Sequence, residues 1–373
     1  MIPVFKPYYD ERELSALKAT LDSGWVGLGP RTKEFEDKFA EYVGAKYCVG
    51  LNSCTAALHL ACEVMNVKGG EVITSPMTFV SSNHAIIYAG GTPVFCDIEE
   101  DTLNIDPAKI EGLITPKTKA IMCVHYGGYA CDMERINEIA QKHNLVVIED
   151  AAHASGGEWN EKKLGSIGDI SCFSFHAVKN LAMGEGGAIC TNDEEIYKKL
   201  MRLRWMGITK DTWSRAEGKS YSWYYDVVEF GYKYHLSDIA AAIGLIQLEK
   251  LDKANARRRE LVNQYNDLLS GVEELDRPVR KPYQTLPAAH NYVIQTEHRD
   301  GLHEYLKSKD ISTGVHYIPS NHYELYKTYT GETPVSERVW KRLLTLPLYP
   351  DLKNEQLAMI VDEIKAFYRE HAA

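Results

Sequence analysis

The sequence predicts an α/β fold, with a mostly parallel sheet of about seven strands followed by a smaller α+β C-terminal region. Two observations point to it. Between about residues 45 and 192, short β-branched apolar runs alternate with longer helical periods, the rhythm of strand–helix–strand units. The runs are apolar on both alternating faces, as strands covered by helices on each side must be.

In chain order the strands read as Tyr47 to Leu51, Glu71 to Thr74, Pro93 to Asp97, Ala120 to Val124, Leu145 to Ile148, Ile170 to Phe175 and Ala188 to Thr191. Helical periods fall between them at Thr55 to Val64, Met133 to His143 and Glu194 to Leu203. Ser237 is placed as the N-cap of a long helix that passes Ala240, Leu248 and Leu251 towards Leu268. After Ser270-Gly271 the texture changes to scattered prolines, a strand at Tyr292 to Ile294, a helix from Leu302, a strand near Gly314 to Tyr317 and a final helix from Asn354 to Tyr368. The expected division is a large domain over 1–250 and a small one over 251–373, with the boundary in the 250–271 region.

The 373 residues, 45% hydrophobic and 25% charged, suffice for a large buried core. Lys+Arg total 42 against 52 Asp+Glu, a formal charge of −10, so no broad electrostatic footprint for nucleic acid is expected. The basic run Arg257-Arg258-Arg259 reads as a solvated helix face. The N-terminus lacks the apolar stretch of a signal peptide, and no apolar run is long enough to span a bilayer. A cytoplasmic protein without membrane attachment is expected. The eight cysteines form no C-x-x-C pair and no metal-ligand spacing, so reduced thiols and no metal are expected.

Candidate chemistry concentrates in two segments, Val146 to Gly157 and Ser171 to Gly187. Asp150 ends an apolar strand, where open α/β sheets present groups to a ligand. Lys179 follows the next strand in an otherwise uncharged stretch. Taken singly, such an Asp is more often a loop anchor and such a Lys a surface group. Together they match pyridoxal 5′-phosphate (PLP) chemistry, which needs an amine to form a Schiff base and a carboxylate to keep the pyridine nitrogen protonated. Ser53, Cys54 and Thr55 open an Ala/Leu-rich helix whose N-terminus can cradle a phosphate, with Ser174 as a further hydroxyl. Phe79, just past the second strand, can stack on a planar ring.

Seven segments, Ser23 to Pro30, Asn52 to Leu58, Glu149 to His153, Ser174 to Asn180, Gly186-Gly187, Gly231 to His235 and Gly314 to Tyr317, together resemble the DegT/DnrJ/EryC1/StrS family of sugar aminotransferases. The motifs run from residue 23 to Pro350 in the family's order. The resemblance implies the fold type I, aspartate aminotransferase-like architecture. It also implies a homodimer with shared active sites, and amination of a keto group on a nucleotide-linked sugar with glutamate as donor and pyridoxamine 5′-phosphate (PMP) as the intermediate cofactor form.

By the resemblance, Lys179 is the Schiff-base lysine and Asp150 the pyridine-nitrogen partner. Phe79 and His153 contact the ring, and Ser53, Cys54, Thr55 and Ser174 contact the phosphate. Lys233 stands where the family commonly has an Asn that reaches the neighbouring subunit's cofactor. His153 replaces a commoner Gln. Trp25, His176, His316 and Tyr317 fall in segments that resemble substrate-contacting ones; packing roles are the alternative for Trp25, His316 and Tyr317. Family dehydratases carry His in place of the Schiff-base lysine, so Lys179 favours transamination. A PLP-dependent sugar dehydratase, a cyclitol aminotransferase and a non-catalytic PLP-binding sugar sensor are the competing readings.

Overall fold

The computed structural model describes residues 1–210, 223–329 and 331–371. The central sheet uses β1 (Tyr47–Leu51), β2 (Glu71–Thr74), β3 (Thr92–Phe95), β4 (Thr118–Val124) and β5 (Val146–Asp150). After the two-residue strands β6 (Glu158–Trp159) and β7 (Lys162–Lys163), it is completed by β8 (Ile170–Ser174) and β9 (Gly187–Thr191). The order is β1-β9-β8-β5-β4-β2-β3. Parallel pairing holds from β3 to β8, and β9 runs antiparallel to both its neighbours.

Helices α1 (Glu11–Asp22), α2 (Pro30–Val43), α3 (Cys54–Val64), α4 (Ser81–Tyr88), α5 (Pro107–Ile110), α6 (Met133–His143) and α7 (Glu194–Leu203) accompany the sheet. On one side Leu58, Leu60, Ile148 and Ile189 share a core; on the other, Phe35, Phe39, Phe173 and Phe175 pack edge to face. Each such buried ring contributes about 1.5–3 kcal/mol by leaving water. This two-sided cover is why the strands carry apolar residues on both faces.

The long helix α8 (Asp238–Leu268) starts as expected, with Ser237 Oγ accepting from the Ala240 N–H. Its first residue also serves α2. The N-cap of α2 is Gly29, which has no side chain, and the buried Asp238 carboxylate accepts from the Arg31 and Thr32 N–H groups instead. Beyond α8, strands β10 (Tyr292–Gln295) and β11 (Leu343–Leu346) pair antiparallel, with α9 (Arg299–Ser308), α10 (Pro334–Val339) and α11 (Asn354–His371). Leu261, Tyr265, Ile294, Leu344 and Leu357 form a separate core, joined by Ile2 from the other end of the chain.

Three expectations need correction or addition. Gly314 to Tyr317 is not a strand. Gly314 makes one bridge to Thr345, and then the chain turns aside because His316 bonds the Thr345 hydroxyl and Tyr317 reaches His153. The Arg257-Arg258-Arg259 run is not a solvated face: the guanidinium groups donate to the Leu352, Leu348 and Pro287 carbonyls, and Arg258 is buried. The periodicity does not mark helices α1, α2, α4 and α10 or strand β11. All eight cysteines are free and buried, consistent with thiols acting as small apolar groups.

Candidate active site

A cavity of about 590 Å³ opens where β4, β5 and β8 end, the carboxyl edge of the parallel sheet. Among its lining residues are Ser53, Cys54, Thr55, Phe79, Asp150 and His153, together with Ser174, His176, Lys179, His316 and Tyr317. Eleven of the thirteen residues singled out in the sequence therefore meet in one place. Trp25 and Lys233 do not line it. The Trp25 indole donates to the Leu28 carbonyl at 2.9 Å, and the Lys233 amine lies 3.3 Å from the centre of the Trp205 ring.

Asp150 is the last residue of β5 and is buried. Its Oδ2 accepts from Ser82 Oγ at 2.7 Å and its Oδ1 from the Ala152 N–H at 3.1 Å. Burial still pushes its carboxyl above the usual range, against the Ser82 and Ala152 bonds and the charge of Lys179. Lys179 sits in the connection between β8 and β9, which folds back on itself through Phe175 N to Gly186 O and Ala177 N to Gly184 O. It makes no ion pair among the described residues. Burial pulls its pKa down to about 8, while Cys54 and the Asp150 charge hold it up. An amine so placed is neutral in a useful fraction near physiological pH.

Helix α3 starts at the cavity, with Ser53 as N-cap accepting from the Ala56 N–H. Its first-turn N–H groups have no intrahelical partner and favour an anion. Cys54 contributes main chain rather than thiolate, since burial pushes its thiol well above the usual range. Gly187 allows the close approach that puts this turn beside β9: a Cβ there would lie 2.4 Å from the Ser53 carbonyl group. Ser174 ends β8 nearby. Phe79 is 60% exposed and presents its ring to the opening, tilted towards Tyr317.

The opposite wall holds His153, His316 and Tyr317. Burial and the nearby Lys179 charge hold His153 well below its usual pKa and bring His316 down to about 4, so both imidazoles are neutral. Burial pushes the Tyr317 hydroxyl upwards. His176 is exposed at the rim, 3.7 Å from Glu185.

These residues fit PLP by their donor chemistry. Asp150 is a buried carboxylate with two hydrogen bonds and no ion pair among the described residues, so a cationic ring nitrogen would complete it. Ser53, Thr55, Ser174 and the start of α3 suit the phosphate, Phe79 suits the ring face, and Lys179 is the amine able to hold the aldehyde.

Ser82, Thr78, His290 and Phe5 also belong to the site. Ser82 bonds Asp150 and accepts or donates with Thr78 at 2.8 Å; Phe5 and His290 line the cavity. A Ser inside a helix, or a His next to a strand, carries no local mark of such a role.

The fold and the cavity define a fold type I aminotransferase. SpsC of Bacillus subtilis, a spore coat polysaccharide biosynthesis protein, is 41% identical over 98% of this chain and 96% of its own length. The aminotransferase TlmJ from Streptoalloteichus hindustanus superposes with a TM-score of 0.94 at 32% identity, covering 100% of both chains. The PMP form of Spr1654 from Streptococcus pneumoniae, described as a sugar aminotransferase, gives a TM-score of 0.94 at 33% identity over 99% of this chain and 100% of its own; a PLP form of the same protein is also known. The sequence matches the DegT/DnrJ/EryC1/StrS aminotransferase family over residues 7–365. The chain belongs to that family of PLP-dependent sugar aminotransferases. Among the described residues, no helix is long and apolar enough to cross a membrane.

Proposed function

We propose that the protein moves the amino group of glutamate to the keto group of a nucleotide-linked, often deoxy, sugar in polysaccharide or amino-sugar biosynthesis. The observation that carries this reading is the meeting of Lys179 and Asp150 on one cavity, with the amine brought down to about 8 and the buried carboxylate still lacking a cationic partner. The name of SpsC supports the polysaccharide setting.

When bound, PLP supplies an electron sink for the bond being broken at the donor carbon. Asp150 holds the charge of the ring nitrogen, and Ser82 and Ala152 hold Asp150. Lys179 Nζ would be the base that takes the proton from the donor Cα in the first half-reaction and the acid that gives one to the former keto carbon in the second, exchanging it each time with the bound cofactor. Ser53, Cys54, Thr55 and Ser174 would grip the phosphate, Phe79 and His153 would contact the ring, and His176, His316 and Tyr317 would meet the substrate. The sequence of two half-reactions is ping-pong.

The working form is a homodimer in a cytoplasmic setting, with Lys233 acting at a neighbouring copy's site and Trp25 in a substrate-contacting segment. Two observations support a second copy. Lys233 lies outside its own cavity, and the preceding segment exposes Trp223, Tyr224, Val227, Val228 and Phe230, an apolar patch of the kind that marks an interface. A division into 1–250 and 251–373 accompanies this reading, with residue Ile2 packed onto the second core.

The test is to load the protein with PMP and add keto-sugar nucleotides. The expected outcome is return of the PLP absorbance and an aminated sugar by mass spectrometry. Loss of water without amine transfer would select the dehydratase chemistry instead.

A further inference from the structure

Four rings stand in a row along one wall of the cavity. Phe5 stacks on His290 (centroids 5.2 Å apart, 4° between planes), His290 lies 4.6 Å from His153 at 34°, and His153 lies 6.1 Å from Tyr317 at 19°. Tyr317 ends the row on the side of Phe79, whose ring centroid is 6.4 Å away. Phe5, carried by the N-terminal segment, is the far end. Burial and the Lys179 charge keep both middle imidazoles neutral. A neutral imidazole has one N–H donor and one acceptor nitrogen, so its neighbours decide which is which.

The neighbours decide differently for the two rings. His153 Nδ1 accepts from the Gly127 N–H at 3.3 Å, so its hydrogen is on Nε2, which donates to Tyr317 Oη at 3.0 Å. His290 Nδ1 lies 2.9 Å from Asn180 Oδ1. The Asn180 amide group cannot be reversed, because its Nδ2 donates to the Ala288 carbonyl and to Asn255 Oδ1, both at 2.8 Å. Asn255 is fixed in turn, since its Nδ2 donates to the Ser155 carbonyl at 2.9 Å. Two main-chain carbonyls, which can only accept, thus set the direction of the whole chain of bonds. The His290 hydrogen is on Nδ1, and Nε2 carries a lone pair. That Nε2 makes no hydrogen bond among the described residues, although the ring lines the cavity.

We propose that Asn180 fixes His290 as a hydrogen-bond acceptor on the cavity wall, and that His290 Nε2 receives a hydroxyl of the sugar acceptor. This rests on the keto-sugar reading above. His290 stands beyond the His153 assigned to the cofactor, between it and Phe5, and both Phe5 and His290 line the cavity. A sugar hydroxyl donates to a lone pair. The carboxylates of glutamate only accept, and its one donor group is the amine that reacts. The contact therefore favours one of the two substrates that share the site, with His290 as a specificity residue and Asn180 as its positioning residue.

Two measurements test this. Long-range ¹H–¹⁵N correlation on the PLP-loaded enzyme is expected to show His290 protonated on Nδ1 and His153 on Nε2; a His290 hydrogen on Nε2 overturns the proposal. His290→Phe keeps the stack with Phe5 and removes the acceptor. It is expected to raise KM for the keto sugar about tenfold, the size of one lost hydrogen bond, relative to its effect on 2-oxoglutarate release from glutamate. His290→Gln, which offers a carbonyl oxygen, is expected to recover part of the loss. Equal effects on both half-reactions, or none on either, overturn the role of His290 alone. A wild-type enzyme that aminates no keto sugar overturns the function reading, and with it the ligand assigned here.

Discussion

The sheet-side wall of the cavity and the wall facing it are built by different means. Asp150 and Ser174 are the last residues of β5 and β8, and Ser53 caps α3, so the main-chain ladder of the sheet holds each in place. Phe5, His290, His316 and Tyr317 lie outside regular elements and are held by side-chain bonds and ring contacts instead. Three groups assigned to the cofactor, Asp150, Ser174 and Ser53, sit on the stiff side, and Lys179 lies in the connection after β8, which is held by its own main-chain bonds. Groups that choose among substrates sit on segments that can vary without disturbing the ladder.

That contrast is open to attack by substitution. Lys179→Ala is expected to give the largest effect, a loss of transamination of at least about 10³–10⁴-fold, with PLP retained but without the absorbance of lysine-linked cofactor. Retained turnover would remove the chemical role of this wall. Asp150→Asn is expected to lower kcat by about 10²–10³-fold, the scale of a lost electrostatic partner.

The same variant also tests the lysine's titration. Capture of PLP by the unloaded protein needs the neutral amine, so its rate should rise with pH through about 8 and level off above that value. The Asp150 charge raises the lysine's pKa, so the midpoint in Asp150→Asn should move to lower pH. An unmoved midpoint, read by stopped-flow absorbance, would separate the two groups. Tyr317→Phe keeps the ring beside His153 and removes only the hydroxyl. A loss of about three- to tenfold, mainly in KM for the sugar, is expected; a fall in kcat comparable to that of Asp150→Asn would erase the distinction between the walls.

The same division explains what the sequence made legible. Apolar period and polar ends give the bounds of strands β1 and β2 and of helices α6 and α7, and Ser237 reads as a cap because a Ser before a periodic run has few other uses. Asp150 and Lys179 became readable as a pair, since one cofactor chemistry requires both. Ser82 and His290 were not legible, because their roles depend on groups brought near only by folding. The segment at Gly314 to Tyr317 misled because β-rich composition describes what a chain can pair with, and here His316 and Tyr317 found side-chain partners first. The Arg257-Arg258-Arg259 run misled for a similar reason: a charge pattern does not show that carbonyls of a later segment will fold over it.

Helix α8 also sets a constraint of phase. From its cap at Ser237 to Asn255, which holds Asn180, the helix makes about five turns. One residue added between them would swing Asn255 by about 100°, away from the amide it anchors, while every motif kept its own residues and order. The Leu261, Val262 and Tyr265 side chains that α8 lends to the second core would turn with it. The length of this plain helical stretch is thus as much a part of the site as the lysine, though nothing in it touches a reacting atom.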